Sequence, residues 1–266
     1  MDFVKENKIM SLELIKEIRQ ITGAGISDVK KALDEAAGDR EKTIEILRKK
    51  GQKIAAKKSD REIKEGVIAL AQSADKLALV SLGCETDFVA RNEDFQQAVS
   101  QLAEKLLALG KDEFSAWANQ YIQDELIVKI GENLNLLDFE IFEQGIFDFY
   151  LHSNRKIAAV VVLSQGEKEI AKEVAMHIAA MAPKYLSADE IPAEEIAKEK
   201  EVYQEQLLGE GKPAEMIDKI MPGKIKKYQE EVCLLEQPYI KDDKKSVEQF
   251  LADNQAKIER FAYYSL

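Results

Sequence analysis

The chain has 266 residues and a formal net charge of −11, with 33% charged and 45% hydrophobic residues. No apolar run reaches the ~20 residues that cross a bilayer, so we expect no membrane segment. The acidic balance argues against direct nucleic-acid binding, because proteins that grip a phosphate backbone are usually basic. Two cysteines are too few for a disulfide framework, and the first residues resemble neither a signal peptide nor a transit peptide. This composition favours a cytoplasmic protein.

Residues 1–58 predict three short helices around a small apolar core, since apolar residues recur there at helical spacing, as in Leu14, Ile15 and Ile18. The first ten residues look like an extension. The predicted helix starts are Ser11, Ser27 or Asp28, and Asp39, and the predicted stops are Thr22–Gly25, Gly38 and Gly51, with a charged connector over 52–64. A basic cluster in this region is expected to be a solvated helix end, with RNA contact as the alternative. Its members are Arg48, Lys49, Lys50, Lys53, Lys57 and Lys58.

Residues 62–144 predict a β-hairpin followed by helices. The two strands lie within 67–82 and turn at Ser73–Asp75. An apolar stripe from 95 to 109 then predicts a helix that stops at Gly110, and a further helical segment is expected around Trp117–Ile127.

A similar order of elements follows in residues 145–186. A second hairpin is expected to turn at Ser153–Arg155, with 157–163 as its second strand and a helix over 167–181. Two hairpin-then-helix units predict an α+β fold with two related subdomains, each an antiparallel sheet covered on one face.

Residues 187–228 break this pattern and predict a helical hairpin. Two charged helices, 193–208 and 213–227, meet at Gly209–Pro213. The chain is then expected to return to the second subdomain over 229–266. This part contains a strand at 231–235, a short helix capped by Ser246, and a tail that forms a strand or a packed cap.

The residues give little support to catalysis. The chain has no glycine-rich phosphate loop, and its two histidines are not spaced with cysteines as metal ligands, so no cofactor or metal is predicted. A nucleophilic pair of Cys84 with His152, or a carboxylate pair of Asp87 with Glu85, is conceivable, but no further signal accompanies either. We therefore expect a protein that acts by binding and is not an enzyme.

The most informative segment is Leu82–Asn92, where an apolar strand stops and Phe88 stands in a polar turn before a new helix. An aromatic ring at such a position suits contact with a partner better than it suits a core. This segment, together with Thr22–Leu33 upstream, resembles the two signatures of the elongation factor Ts family in their order and spacing. The resemblance implies an N-terminal three-helix, ubiquitin-associated-like module, a duplicated core of antiparallel sheets with helices, and an inserted helical hairpin.

The resemblance also implies a partner and a site. The partner is the translational GTPase elongation factor Tu in its GDP form, from which the family dislodges Mg²⁺ and GDP so that GTP can enter. In the family the loop that corresponds to Thr86, Asp87, Phe88 and Val89 enters the GTPase domain next to the magnesium site. Further contacts carried over by the resemblance are Arg19, Gly25, Ile26, Ile130, Gly131 and His152.

Some alternatives stay open at this point. Ser27 departs from the apolar residue common in the family, so a helix-capping role there is equally consistent with the sequence. His177 resembles a family position too, and ordinary helix packing is the better interpretation. A non-catalytic module that binds GTPases or nascent chains is the alternative function, and self-association through the helical hairpin is a further expectation.

Overall fold

The structure is a computed structural model that describes the backbone of residues 2–58 and 60–266, with side chains for 12–53, 58 and 60–266. The chain forms two compact units. The first runs to Glu143 and includes Leu266, and the second comprises Gln144–Ser265. The finer division into 1–58, 62–144, 145–186 with 229–266, and 187–228 stays a prediction.

The first unit begins with the predicted three helices. They are α1 (Asp2–Thr22), α2 (Ile26–Glu35) and α3 (Arg40–Lys58). Ile18, Val29 and Leu47 are buried between them. The start predicted at Ser11 is wrong because α1 already begins at Asp2, and no glycine or proline precedes Ser11 to interrupt a helix.

Helix α3 does not stop at Gly51 as predicted, and it continues through much of the predicted connector. Gly51 is buried, and a Cβ atom built on it would lie 1.9 Å from Cγ2 of Val128. The glycine therefore allows α3 to lie close to the segment around Val128. A glycine that permits close packing and one that ends a helix look alike in a sequence.

The first sheet has three antiparallel strands in the order β1 (Glu65–Gln72), β2 (Lys76–Cys84) and β3 (Asn135–Glu143). The predicted hairpin is confirmed, including its turn at 73–75. Strand β3 was missed because polar residues such as Asp138 and Glu140 interrupt it and it is only partly buried. One face of the sheet packs on the buried residues Phe95, Leu102 and Leu106.

These buried residues belong to α5 (Glu93–Tyr121), which follows the one-turn helix α4 (Asp87–Ala90). The predicted stop at Gly110 is confirmed as a break inside α5, where the backbone has φ 75° and ψ 169°. A π-helical turn, Ile122–Leu126, and α6 (Ile127–Ile130) complete the helical part of the unit.

The second unit repeats the plan of hairpin and helix. Its sheet has the order β4 (Ile146–Leu151), β5 (Ile157–Gln165) and β8 (Lys257–Ser265), and α7 (Lys168–Met181) covers it. The predicted hairpin and helix are therefore confirmed, and of the two alternatives for the tail the structure shows the strand.

The helical hairpin lies between these elements in the chain. It consists of α8 (Ala193–Gly209) and α9 (Ala214–Val232). The strand predicted at 231–235 is wrong, since α9 extends to Val232 and only Cys233 pairs, as an isolated bridge with Tyr185. Short apolar runs fit a buried helix end as well as a strand, and Cys233 packs here with Tyr228 and Val232.

The remaining elements are β6 (Pro238–Tyr239), β7 (Asp242–Ser246) and α10 (Val247–Asp253). Ser246 caps α10 as predicted. Its hydroxyl accepts from the N–H of Gln249 at 3.2 Å, and the Gln249 side chain accepts from the N–H of Ser246 at 3.0 Å. In the part of the chain that the structure describes, no helix has the length and apolar character to span a membrane.

Candidate functional site

The segment Thr86–Val89 forms the tight connection between β2 and α5. Thr86 has an extended backbone and caps α4, with its hydroxyl accepting from the N–H of Val89 at 3.4 Å. Asn92 caps α5 in the same way by accepting from the N–H of Phe95 at 3.2 Å. Two caps in succession hold a single helical turn between a strand and a long helix.

This turn presents Phe88 outward. Its side chain is 82% exposed, which makes it the most exposed large apolar side chain among those that the structure describes. Val89 and Ala90 instead pack against the core of the first unit. Burial of a phenylalanine is worth roughly 1.5–3 kcal/mol, and the free protein does not gain that free energy at Phe88.

Asp87 lies beside Phe88 and is partly exposed. One of its carboxylate oxygens is 3.2 Å from a guanidinium nitrogen of Arg91, one turn further on. Asp87 also occupies the first turn of α4, where a negative charge faces the free N–H groups of the helix. Its carboxylate is therefore available at the surface next to the exposed ring.

The carboxylate of Glu132 holds the start of this turn. One oxygen accepts the N–H groups of Glu85 and Thr86 at 2.9 and 3.1 Å. The other accepts the hydroxyl of Thr86 at 2.6 Å. The hydroxyl that caps α4 is thus itself oriented by Glu132.

Glu85 returns the interaction. Its carboxylate accepts the N–H of Asn133 at 2.6 Å and a guanidinium N–H of Arg61 at 3.1 Å. The pKa of Glu85 is lowered, chiefly by the hydrogen bond from the N–H of Asn133 and also by Arg61, whereas burial acts to raise it. Each of the two segments, 85–86 and 132–133, therefore offers a carboxylate to the backbone of the other. We call this arrangement the Glu85–Glu132 clamp.

Sequence reasoning did not identify the clamp. Glu85 and Glu132 both lie inside family-like runs, but nothing local indicates that residues so far apart in the chain meet. The only sequence signal for the clamp was a glutamate next to each turn, and glutamates at turns are too common to indicate a contact.

The predicted contacts of the N-terminal module lie where α1 ends and α2 begins. Arg19, Gly25 and Ile26 are exposed, with Ile26 49% exposed. Gly25 is the N-cap of α2, which begins at Ile26, so the capping role considered for Ser27 is wrong. Gly23 ends α1 with a positive φ of 66°, and a Cβ atom there would meet Lys129.

The predicted contacts Ile130 and Gly131 lie directly before the clamp. Gly131 ends α6 in the left-handed conformation, with φ 83°, and its carbonyl oxygen accepts from Nζ of Lys58. Lys129, which abuts the turn at Gly23, precedes them. The first unit thus brings together the N-terminal turn, the segment 129–133 and the loop that carries Phe88.

His152 belongs to the second unit. It is exposed at the turn between β4 and β5, where its Nδ1 lies 3.0 Å from the hydroxyl of Tyr150. His177, in contrast, is buried in α7. Its Nδ1 accepts the N–H of Ile240, so its Nε2 carries the proton donated to Gln237. This agrees with a packing role for His177.

The alternatives based on catalysis find little support in this geometry. Cys84 is buried, and its thiol donates to the carbonyl oxygen of Thr86 at 3.3 Å. Among the described residues, no group of three or more histidine, cysteine, aspartate or glutamate side chains could hold a metal ion.

Comparison with known proteins agrees with this picture. The model of the family described as "Elongation factor TS" matches residues 85–266. Proteins named elongation factor Ts from Deinococcus deserti and Halothermothrix orenii are 41% and 42% identical, over 96% and 97% of this chain and 99% and 92% of their own lengths. One from a Nitratiruptor species is 45% identical over 97% of this chain and 93% of its own. The chain belongs to the elongation factor Ts family.

Family membership confirms the predicted function. As a member of the elongation factor Ts family, the protein is a nucleotide exchange factor for elongation factor Tu in translation elongation, and it is not an enzyme. The family also implies a cytoplasmic location and an α+β fold, as expected. The alternative of a binding module without exchange activity is thereby set aside.

Proposed function

We propose that the segment Thr86–Val89 is the part of this protein that acts on the GTPase domain of elongation factor Tu. Phe88 enters the domain as a wedge beside the magnesium site, and Asp87 engages the same region. The observation that carries the proposal is the 82% exposure of Phe88 on a turn fixed by two helix caps.

Such a wedge promotes exchange without any chemistry of its own. Bound Mg²⁺ bridges the phosphates and the GTPase and neutralises phosphate charge, so moving its protein supports weakens GDP binding. By linkage, GDP weakens binding of the exchange factor to the same extent. The exchange factor therefore holds the empty GTPase until GTP enters.

Thr86 and Val89 have a supporting part in this proposal. The Thr86 hydroxyl is already bonded within the loop, and Val89 packs inward. We therefore assign them to shaping the wedge, and Phe88 and Asp87 to contact with the partner.

Other surfaces would add affinity. The exposed turn with Arg19, Gly25 and Ile26 and the neighbouring Ile130–Gly131 form one candidate contact area in the first unit. His152 is a separate candidate contact in the second unit. The turn, Gly131 and His152 are supported by their exposure and by the family resemblance. Ile130 packs partly against the core of the first unit, so the resemblance alone supports it.

Self-association through the helical hairpin is a secondary hypothesis. Its support is the exposure of large apolar side chains on α8 and α9, namely Val202, Leu208 and Met216. Sedimentation of the wild type and of a Val202→Ser/Leu208→Ser variant over a range of concentrations tests it, and identical monomeric behaviour would contradict it.

Release of labelled GDP from purified elongation factor Tu tests the wedge. Phe88→Ala should slow the catalysed release at least about tenfold, because a buried aromatic anchor at an interface contributes roughly 2–4 kcal/mol. Leu208→Ala, which truncates another exposed apolar side chain, should retain the wild-type rate. Thermal melts of both variants should match the wild type, and a Phe88→Ala protein with normal exchange would overturn the proposal.

A further inference from the structure

The clamp suggests a role for Glu132, which does not contact the ring of Phe88 and can affect it only through the backbone of the loop. All three hydrogen bonds given to the Glu132 carboxylate come from Glu85 and Thr86, the two residues directly before α4. None of these bonds joins strands or fills the core. Their common effect is to fix the backbone from which Phe88 projects.

We propose that Glu132 is a positioning residue for nucleotide exchange, which acts by holding Thr86 and thereby the direction of Phe88. The proposal rests on the wedge function of Phe88 stated above. It goes beyond that function because it places a determinant of exchange on a segment remote in sequence from the wedge.

The geometry explains why the loop needs an outside support. Phe88 gains almost no packing on its own unit, so its ring does not hold the turn in place. The one-turn helix α4 is too short to be stable by itself. Its cap depends on the Thr86 hydroxyl, which donates to Glu132 while it accepts from the N–H of Val89.

The support is itself anchored. The N–H of Asn133 donates to Glu85, and the side-chain amide of Asn133 donates to the carbonyl oxygen of Arg61 at 2.9 Å. Lys58 donates to the carbonyl oxygen of Gly131. The segment 131–133 therefore connects the end of α3 with the loop. Its bonds to Lys58 and Arg61 fix the backbone of Glu132, whose carboxylate in turn fixes residues 85–86.

Replacement of Glu132 provides the test. In Glu132→Ala the N–H groups of Glu85 and Thr86 lose their acceptor, and the Thr86 hydroxyl loses its orientation. We expect GDP release at saturating exchange factor to slow at least about tenfold, with the half-saturating concentration changed by less than about threefold. In Glu132→Ala the cost of ordering the loop would then slow the step in which Phe88 enters the GTPase, and would not weaken the first encounter between the two proteins.

Glu132→Gln is the conservative comparison. Its amide oxygen can still accept the two N–H groups, and its NH₂ can donate to the Thr86 hydroxyl. This variant should recover most of the activity. Glu143→Ala, which removes an exposed glutamate paired with Lys76 at the other end of β3, is the matched control and should exchange normally.

A cycle with Phe88→Ala separates positioning from general support of the fold. If Glu132 acts through Phe88, Glu132→Ala should slow exchange much less in the Phe88→Ala background than in the wild type. Amide hydrogen exchange at residues 85–89 should be faster in Glu132→Ala, while the strands β1 and β2 stay protected.

The outcomes distinguish the two proposals. Normal exchange by Phe88→Ala would overturn the wedge itself. A slow Phe88→Ala variant together with a normal Glu132→Ala variant would overturn only the role of Glu132. Independent, multiplicative losses in the double variant, or a loss explained by the folded fraction alone, would also overturn it.

Discussion

Replacing Gly51 by alanine should destabilise the first unit, although the same change in an open helix is stabilising. By helix propensity alone, alanine is favoured over glycine by about 1 kcal/mol. At Gly51, however, the new methyl group would lie 1.9 Å from Cγ2 of Val128. Val128 is β-branched and has few rotamers with which to move away. Overpacking costs about 1–3 kcal/mol, and an approach of 1.9 Å to a stiff side chain belongs at the upper end of that range. The cost should therefore exceed the gain from helix propensity and reverse the sign of the effect.

Two comparisons make this prediction specific. Gly223→Ala lies in α9, where no atom lies within 4 Å of the new Cβ, and it should stabilise the protein by up to about 1 kcal/mol. Val128→Ala should relieve the clash, so that Gly51→Ala is far less harmful in its presence. Residues in direct contact commonly show coupling of about 0.5–3 kcal/mol in such a cycle.

Urea unfolding provides the measurement. The single tryptophan, Trp117, lies in the first unit and reports on it through fluorescence, whereas circular dichroism follows the whole chain, including Gly223→Ala. A Gly51→Ala protein stabilised as much as Gly223→Ala would show that α3 and Val128 are not in close contact. Equal effects of Gly51→Ala with and without Val128→Ala would lead to the same conclusion.

Three further predictions address the partner, the hairpin and pH. Asp87→Ala should slow GDP release in the presence of Mg²⁺ and have a smaller effect once Mg²⁺ is chelated, whereas the control Asp94→Ala should change neither rate. An equal loss of rate with and without Mg²⁺ would exclude an action of Asp87 on the metal site. Replacing 188–227 by a short linker should leave most exchange activity, and complete loss in a variant that still folds by circular dichroism would refute this. Burial lowers the pKa of His177, while its hydrogen bond to Gln237 acts in the opposite direction. The free energy of unfolding should therefore be highest above the unfolded pKa of about 6.5 and decrease as the pH falls towards the folded pKa. Denaturant midpoints between pH 7.5 and 5 should show this decrease in the wild type and much less of it in His177→Gln.

The features that the sequence predicted correctly have causes within a few residues. The turn at Ser73–Asp75, the break at Gly110 and the cap at Ser246 each depend on local backbone conformation or a local hydrogen bond. The repeated order of hairpin and helix follows from patterns of the same kind. The exposed position of Phe88 was also predictable, since it stands in a polar turn between an apolar strand and a helix.

The features that were missed depend on residues far apart in the chain. Gly51 looks like a helix stop until Val128 is seen beside it. The mixed composition of β3 becomes a strand only through pairing with β2. The end of α9 resembles a strand in the sequence until its packing with Tyr185 is known. Contacts of this kind leave no periodic or local signal in one sequence.

The difference between local and long-range interactions matters most at the loop that carries Phe88. There the burial free energy of the ring must be compared with the entropic cost of ordering the loop. Burying the Phe88 ring in a partner supplies about 1.5–3 kcal/mol. Fixing the backbone of a disordered residue costs about 1–2 kcal/mol, so ordering a loop of several residues at the moment of binding would consume that gain. The caps at Thr86 and Asn92 and the hydrogen bonds that Glu132 accepts fix the turn before the partner arrives. In the proposed wedge mechanism, the exposed ring then acts on the GTPase with most of its burial energy. The polar residues around Phe88 should therefore matter to exchange as well as the ring itself.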